Sequence, residues 1–222
     1  MVLFSSADGT TARIEVPGGR ICASDMPAVS AAAHTADGYA HITARANLQF
    51  RRVPKDFSLE LTSLGDDTTS PLDDATTPPL GWFDDEDAVS LGGITPFGVL
   101  TAKMLDLLAA LEADVSLTPQ RSVFIHDLPA GHAEAAVRIL APLGMSFDAA
   151  SPWARVTACI GAPRCRHALS DVRTDAARLT DHGRVHVVGC DRACGRPQGP
   201  HTEYLATADG EYEITQRGLK GS

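Results

Sequence analysis

Apolar residues recur in this chain with two periods, and each period predicts a different element. SVFIHDL, Ser122–Leu128, alternates apolar and polar positions and predicts a half-buried strand. The same reading predicts strands at Tyr39–Thr43, Leu48–Val53 and Val115–Thr118. Leu100, Met104, Leu107, Leu108 and Leu111 instead share one face of a predicted helix. Ala28, Val29, Ala32 and Ala33 give a second helix a smaller face, with Pro27 tolerable only in its first turn. A third helix, about His132 to Leu140, presents Ala133, Ala136, Val137 and Leu140.

These elements repeat. Shifted by 79 positions, LFSSADGTTARIEVPGGRICA lies over WFDDEDAVSLGGITPFGVLTA, matching Phe4 with Phe83, Pro17 with Pro96 and Gly19 with Gly98. Further on the shift falls to 75, matching Thr43 with Thr118 and Pro54 with Pro129. Each copy reads as a strand pair around a polar turn, a helix and further strands, so the predicted class is α+β with pseudo-two-fold symmetry. The expected halves are residues 1–55 and 80–150, joined by a linker at 56–79 that is rich in Thr, Asp and Pro. Its stretch from 62 to 79 is expected to be solvated and mobile.

From about residue 151 the pattern changes. Arg155–Ala158 predicts a strand that runs at once into CIGAPRC. Leu169, Val172, Ala176 and Leu179 mark a helix ending near Gly183, and Val185–Gly189 predicts a strand that runs into CDRACGRP. Tyr204–Ala206 and Tyr212–Ile214, around Asp209-Gly210, predict a closing hairpin.

Charge narrows the function classes. With 19 Lys and Arg against 28 Asp and Glu, the net charge of −9 disfavours a nucleic-acid binder. The acidic excess is local, because ten Asp or Glu and no basic residue lie between Lys55 and Lys103. No apolar run approaches the roughly 20 residues of a membrane span. The opening MVLFSSADGTTARIE lacks the pattern of a secretory signal, and a cytoplasmic protein is expected.

Four of the five cysteines, Cys159, Cys165, Cys190 and Cys194, stand where predicted strands end. In a cytosolic chain such a set points to a metal or to catalysis rather than to disulfides. Zinc sites usually space paired thiolates by two to four residues, and Cys-x5-Cys with Cys-x3-Cys fits that poorly. A wider [4Fe–4S] cluster fits better, although zinc stays an alternative here. Arg164, Arg166, Arg192 and Arg196 flank the thiols and are expected to act as counter-charges. Cys22 reads as a thiol outside the ligand set. In the first copy, alternation along a strand is expected to put Arg45, Asn47, Gln49 and Arg51 on one face.

TACIGAPRC, HVVGCDRACGRP and TARANLQFR resemble the cluster motif and a tetrapyrrole-facing segment of the siroheme nitrite/sulfite reductase superfamily. Within it, the wording is most similar to the precorrin-3B synthase family. The resemblance implies two ferredoxin-like half-domains and a C-terminal α/β iron–sulfur domain at 151–222. It also implies an oxidoreductase that converts precorrin-3A to precorrin-3B with O2, by ring hydroxylation and lactone formation, in aerobic cobalamin biosynthesis. A siroheme-dependent reductase, or a non-catalytic iron–sulfur or tetrapyrrole-binding remnant, is the alternative. The implied cofactor is a [4Fe–4S] cluster on the four cysteines, with siroheme or a non-haem iron as a further group. The implied partners are the tetrapyrrole and an electron donor, a reduced nicotinamide or a ferredoxin-type protein. Arg45, Asn47, Gln49, Arg51, Arg121 and Arg192 would line the macrocycle, whose acetate and propionate groups suit guanidinium forks. The α/β lobe that separates the half-domains elsewhere in the superfamily is replaced here by the acidic linker. Arg192 stands where Lys is usual, and Arg52 where Gly is usual.

Overall fold

A two-residue strand placed in the wrong half sets the architecture. In the computed structural model, which describes residues 1–62, 77–179 and 183–218, the first half contributes β1 (Val2–Ser6), β2 (Gly9–Ile14), β3 (Arg20–Ile21), α1 (Met26–Thr35), β4 (Tyr39–Ile42) and β5 (Leu48–Arg51). The second contributes β6 (Gly81–Asp85), β7 (Ala88–Ile94), β8 (Val99–Thr101), α2 (Ala102–Ala110), β9 (Val115–Leu117), β10 (Ser122–Leu128) and α3 (Ala130–Leu140). Two five-stranded sheets result, β1-β2-β5-β4-β8 and β3-β9-β10-β7-β6. Each half thus gives one short strand to the other's sheet: Ile21 pairs with Val115, and Leu100 pairs with Ala40.

The exchange is locked at both ends. Asp114 accepts from the Arg20 guanidinium at 2.8 Å and from the Ala23 N–H at 2.9 Å, and Ala102 N–H donates to Gly38 O at 2.8 Å. The helices meet across the same seam, where Asp106 of α2 accepts from Ser30 and pairs with His34 of α1. One apolar cluster runs through both halves, with Met26, Leu48, Phe50, Leu91, Leu100, Leu105, Leu108 and Ile125 almost fully buried. At roughly 1.5–3 kcal/mol for each large side chain, this shared core, rather than helix propensity, holds the short helices in place.

The repeat is visible in the turns. Gly18 and Gly19 have φ of 58° and 68°, and their counterparts Phe97 and Gly98 have 57° and 67°. Thr43 and Thr118 each close a turn in which the residue three further on, Ala46 or Arg121, also has positive φ, at 54° and 65°. Arg52 holds φ of 56°, a left-handed conformation that glycine adopts without strain.

Several expectations need correction. Leu100 lies in β8 and not on the helix, because the strand exchange takes it before Thr101 caps α2 by accepting from Met104 N–H at 3.1 Å. Within the linker span 56–79, Phe57 packs 5.9 Å from Phe50, Leu59 and Pro78 are buried, and Thr62 donates twice to Asp25. Residues 63–76 of that linker lie outside the described residues.

The chain packs as two units, Met1–Ser5 with Gly9–Ser151, and Ser6–Asp8 with Pro152 onward. The second holds β11 (Val156–Ala158), α4 (Val172–Ala176), β12 (Val185–Val188), β13 (His201–Ala208) and β14 (Glu211–Arg217), with the four strands in one sheet in that order. β11, β12 and β13 run parallel, and β14 returns antiparallel. The expected helix shrinks to α4, with Leu169 exposed. Among the described residues no helix is long and apolar enough to cross a membrane.

Gly19 tests the exchange directly. A Cβ there would stand 2.5 Å from Leu117 O, a backbone atom of the partner half, whereas a Cβ on Gly38 meets nothing within 4 Å. Both glycines have positive φ. Gly38→Ala should cost roughly the 1–2 kcal/mol of left-handed strain alone. Gly19→Ala should cost clearly more, read as a lower denaturation midpoint with unchanged m-value.

Candidate metal centre and ligand-binding turn

Parallel strands deliver their following loops to the same edge of a sheet, and β11 and β12 do this for the thiols. Val156 pairs with Val185 and Ala158 with Val187, so Cys159 and Gly189 leave adjacent strands side by side. Cys159 N–H continues the ladder to Val187 O at 3.0 Å, and Gly189 N–H donates to Cys159 Sγ at 3.3 Å. Gly161 N–H supplies a second donor to that sulfur. A Cβ on Gly189 would stand 2.5 Å from Ala168 Cβ, and one on Gly161 would stand 2.8 Å from Val172 Cγ2. Glycine at both places lets the loops close on one another.

Burial pushes the Cys159 thiol up, with Cys194 and Cys165 adding to it and the glycine N–H groups opposing. Burial also pushes Cys194 up, helped by Cys190 and Cys165. Cys165 thus acts on both Cys159 and Cys194, and Cys190 on Cys194. Among the described residues no three thiols, imidazoles or carboxylates are arranged to hold a single metal ion. A four-sulfur donor set on two glycine-bearing loops, with N–H donors already on one sulfur, fits a polynuclear cluster. Cys22 belongs to the other unit, at the start of a 3-10 turn.

The cations around the thiols divide. Arg192, Arg166 and His167 are exposed, and the Arg192 guanidinium, followed by burial and Arg166, holds His167 below its usual range. Arg196 does not serve as the expected free counter-charge. It grips Glu203 with two hydrogen bonds of 2.6 and 2.9 Å, and Arg217 reaches the same carboxylate at 2.8 Å. Burial raises the Glu203 carboxyl, but the two guanidinium groups outweigh it and hold the pKa below the usual range.

The first thiol loop has its own latch, which no spacing in the sequence reveals. Ala162 N–H donates to Ser170 O at 3.0 Å, and Ser170 Oγ donates to Asp175 at 2.8 Å. Tyr212 donates to the same carboxylate at 2.5 Å, and Gly210 N–H donates to Ser170 Oγ at 3.1 Å. Hydrogen bonding from Tyr212 is the main cause that holds Asp175 low; burial, then this bond, pushes Tyr212 up to about 12. His186 is buried in β12 with Nδ1 on Thr157 Oγ1 at 2.9 Å, His201 pairs with Gly199 O, and His126 pairs with Ser116 Oγ at 2.7 Å.

In the other unit the polar row is not a strand face. Arg45 sits exposed in the turn before β5, where Thr43 Oγ1 accepts from Asn47 N–H at 3.1 Å and Thr43 N–H donates to Asn47 O at 2.9 Å. The threonine side chain closes the chain there, so strand alternation starts only at Leu48. Asn47 Oδ1 accepts from Val16 N–H at 2.8 Å and ties the turn to the end of β2. Gln49 is half-buried opposite His41 and Arg13, while Arg51 is buried opposite Thr11, at 3% exposure. Arg121 occupies the equivalent turn of the second half but is also buried, at 7%. Of Arg45, Arg51 and Arg121, Arg45 is thus the one exposed to solvent.

Residues 5–57 match the nitrite/sulfite reductase ferredoxin-like half domain. That span runs from β1 through the Arg45 turn to Phe57. Among solved structures, the NirA protein of Mycobacterium tuberculosis is similar in fold, with a TM-score of 0.50 and 19% identity. The likeness covers 71% of this chain and 32% of NirA, so the chain spans about a third of that protein's length. No curated protein matches the sequence.

The Ser170–Asp175–Tyr212 latch makes a prediction. Tyr212→Phe removes a hydrogen bond to a charged group and should cost roughly 1.5 kcal/mol, read by denaturation of the chain. Asp175 has a lowered folded pKa, so its contribution is present above the ordinary carboxylate range and is lost as pH falls through the folded value. The Tyr212→Phe protein should therefore show a flatter fall in stability across that acid window.

Proposed function

We propose that the chain is an iron–sulfur oxidoreductase that acts on a tetrapyrrole, with precorrin-3A as substrate and precorrin-3B as product. What supports this reading is a set of four cysteines on the loops that follow the parallel strands β11 and β12, in a chain whose residues 5–57 match the nitrite/sulfite reductase ferredoxin-like half domain. Cys159, Cys165, Cys190 and Cys194 would hold a [4Fe–4S] cluster, which when bound supplies electrons one at a time. Gly189 and Gly161 place N–H dipoles on the Cys159 sulfur and stabilise its thiolate.

Arg45 binds a ring carboxylate through its fork, and in the other unit Arg192 lies near Cys194. Asn47 acts through the turn, because its carbonyl oxygen already holds Val16. Arg51 and Arg121, both buried, shape the two turns and their sheets from within. A reduced nicotinamide or a ferredoxin-type protein supplies the electrons, and the cytoplasm is the compartment in which the thiols stay reduced. The second reading is a siroheme-dependent reductase, which the half-domain match at 5–57 favours.

Incubation with precorrin-3A, O2 and reductant tests the first reading. A product one oxygen atom heavier is expected; unchanged precorrin-3A together with nitrite or sulfite reduction by siroheme-loaded protein would favour the second. Arg45→Ala should weaken tetrapyrrole binding about 10- to 150-fold, the equivalent of one charge-assisted bond of roughly 1.5–3 kcal/mol. Arg45→Lys should recover only part of the loss. Fluorescence titration with sirohydrochlorin measures both, and equal affinity of wild type and Arg45→Ala would remove Arg45 from the site.

A further inference from the structure

The loop that carries Cys190 and Cys194 has little apolar anchorage. From Cys190 to Pro200 every side chain is exposed or half-buried, and Ala193 has a φ of 43°. Its backbone bonds, Ala193 N–H to Cys190 O at 3.1 Å and Arg196 N–H to Ala193 O at 3.3 Å, are internal to the loop. Two residues after Cys194, Arg196 reaches into the sheet and grips Glu203 through both Nε and Nη2. Glu203 is 2% exposed and sits centrally in β13, paired with His186 of β12 and Thr215 of β14. Arg217, from the far strand of the hairpin, donates to it through Nε at 3.0 Å and Nη2 at 2.8 Å.

A buried carboxylate is costly unless it is paired and hydrogen-bonded, and here two guanidinium groups supply both. One of the two partners belongs to the cysteine loop. We propose that Glu203 is a positioning residue for the fourth thiolate: through Arg196 it fixes the Cys190–Cys194 loop on the sheet, and it cancels the charge that Arg196 would otherwise place beside the sulfurs. This rests on the cluster reading above and assigns a role to two charged residues that are not themselves ligands. Arg196, Glu203 and Arg217 carry +1, −1 and +1, a net +1 that would become +2 without the carboxylate. Replacing Glu203 with a neutral side chain would free a positive charge two residues from Cys194, and positive charge near an anionic cluster raises its potential.

The test uses the full chain, loaded anaerobically with iron and sulfide, and compares Glu203→Gln, Glu203→Asp and Arg217→Gln with wild type. Two readouts apply to the loaded protein, the rate of cluster loss to a chelator and the midpoint potential. Glu203→Gln should lose the cluster about tenfold faster, the scale of an outer-shell substitution, and its potential should shift positive. Glu203→Asp keeps the charge and should restore the potential while only partly restoring retention. Arg217→Gln leaves Arg196 its carboxylate and removes one positive charge from the far strand, so it should lower thermal stability and should not shift the potential positive. Should Glu203→Gln fail to fold, Arg196→Lys breaks the fork and keeps the charge, and should speed cluster loss at constant potential. Wild-type retention and potential in Glu203→Gln, or an equal potential shift in Arg217→Gln, would overturn the proposal.

A third readout separates this proposal from the cluster reading. Wild type that takes up no sulfide contradicts the cluster itself. Hydrogen exchange of the Ala193 and Arg196 amides in the metal-free chain then decides the strut. Exchange about tenfold faster in Glu203→Gln than in Arg217→Gln supports it, and equal protection in the two overturns it.

Discussion

The exchange of β3 and β8 is the constraint on which the larger unit depends. Neither strand exceeds three residues, and neither could pair stably alone. Each is held because it completes the other half's sheet and because the residues after it, Ala23 and Ala102, are tied across the seam. Two small sheets with modest helices become one core in this way, and the repeat survives as structure although few of its residues are identical. The buried apolar set draws on both halves, so the Arg45 turn is supported by a core to which the second half contributes.

The thiol-bearing unit solves a different problem. It carries four cysteines on loops that bury little. Parallel β11 and β12 set the starting points of the two loops, and glycines allow their close approach. The hairpin β13–β14 carries no thiol, yet it supplies Tyr212 and Gly210 to the first loop's latch and Glu203 to the second's. The thiol loops on one pair of strands are thus braced by polar groups from the next pair.

Much of this is legible in the sequence because its causes are local. Alternation in SVFIHDL places β10 at its observed bounds, and the short runs RVTA and VHVV place β11 and β12 just before the cysteines. The matched pairs Pro17 with Pro96 and Gly19 with Gly98 fall in two equivalent turns with positive φ. What the sequence hides depends on distant partners. Leu100 has a helical spacing to Met104 and yet sits in a strand, because its partner Ala40 lies in the other half. Arg45 reads as a strand residue, but Thr43 turns the chain there with its own hydroxyl. Arg196 reads as a free cation because Glu203 and Arg217 approach it only through the β13–β14 pairing, and a side chain's partner across a sheet leaves no mark at its own position.

The central claim is that the four thiols hold one iron–sulfur cluster. Mössbauer spectroscopy of protein reconstituted anaerobically with sulfide and isotopically enriched iron tests it most directly. The account predicts about four irons per chain in a single spin-coupled [4Fe–4S] signature, absent when Cys159 is replaced by Ser. One high-spin ferrous ion per chain in a tetrathiolate site, or tight zinc uptake with no sulfide, would contradict it.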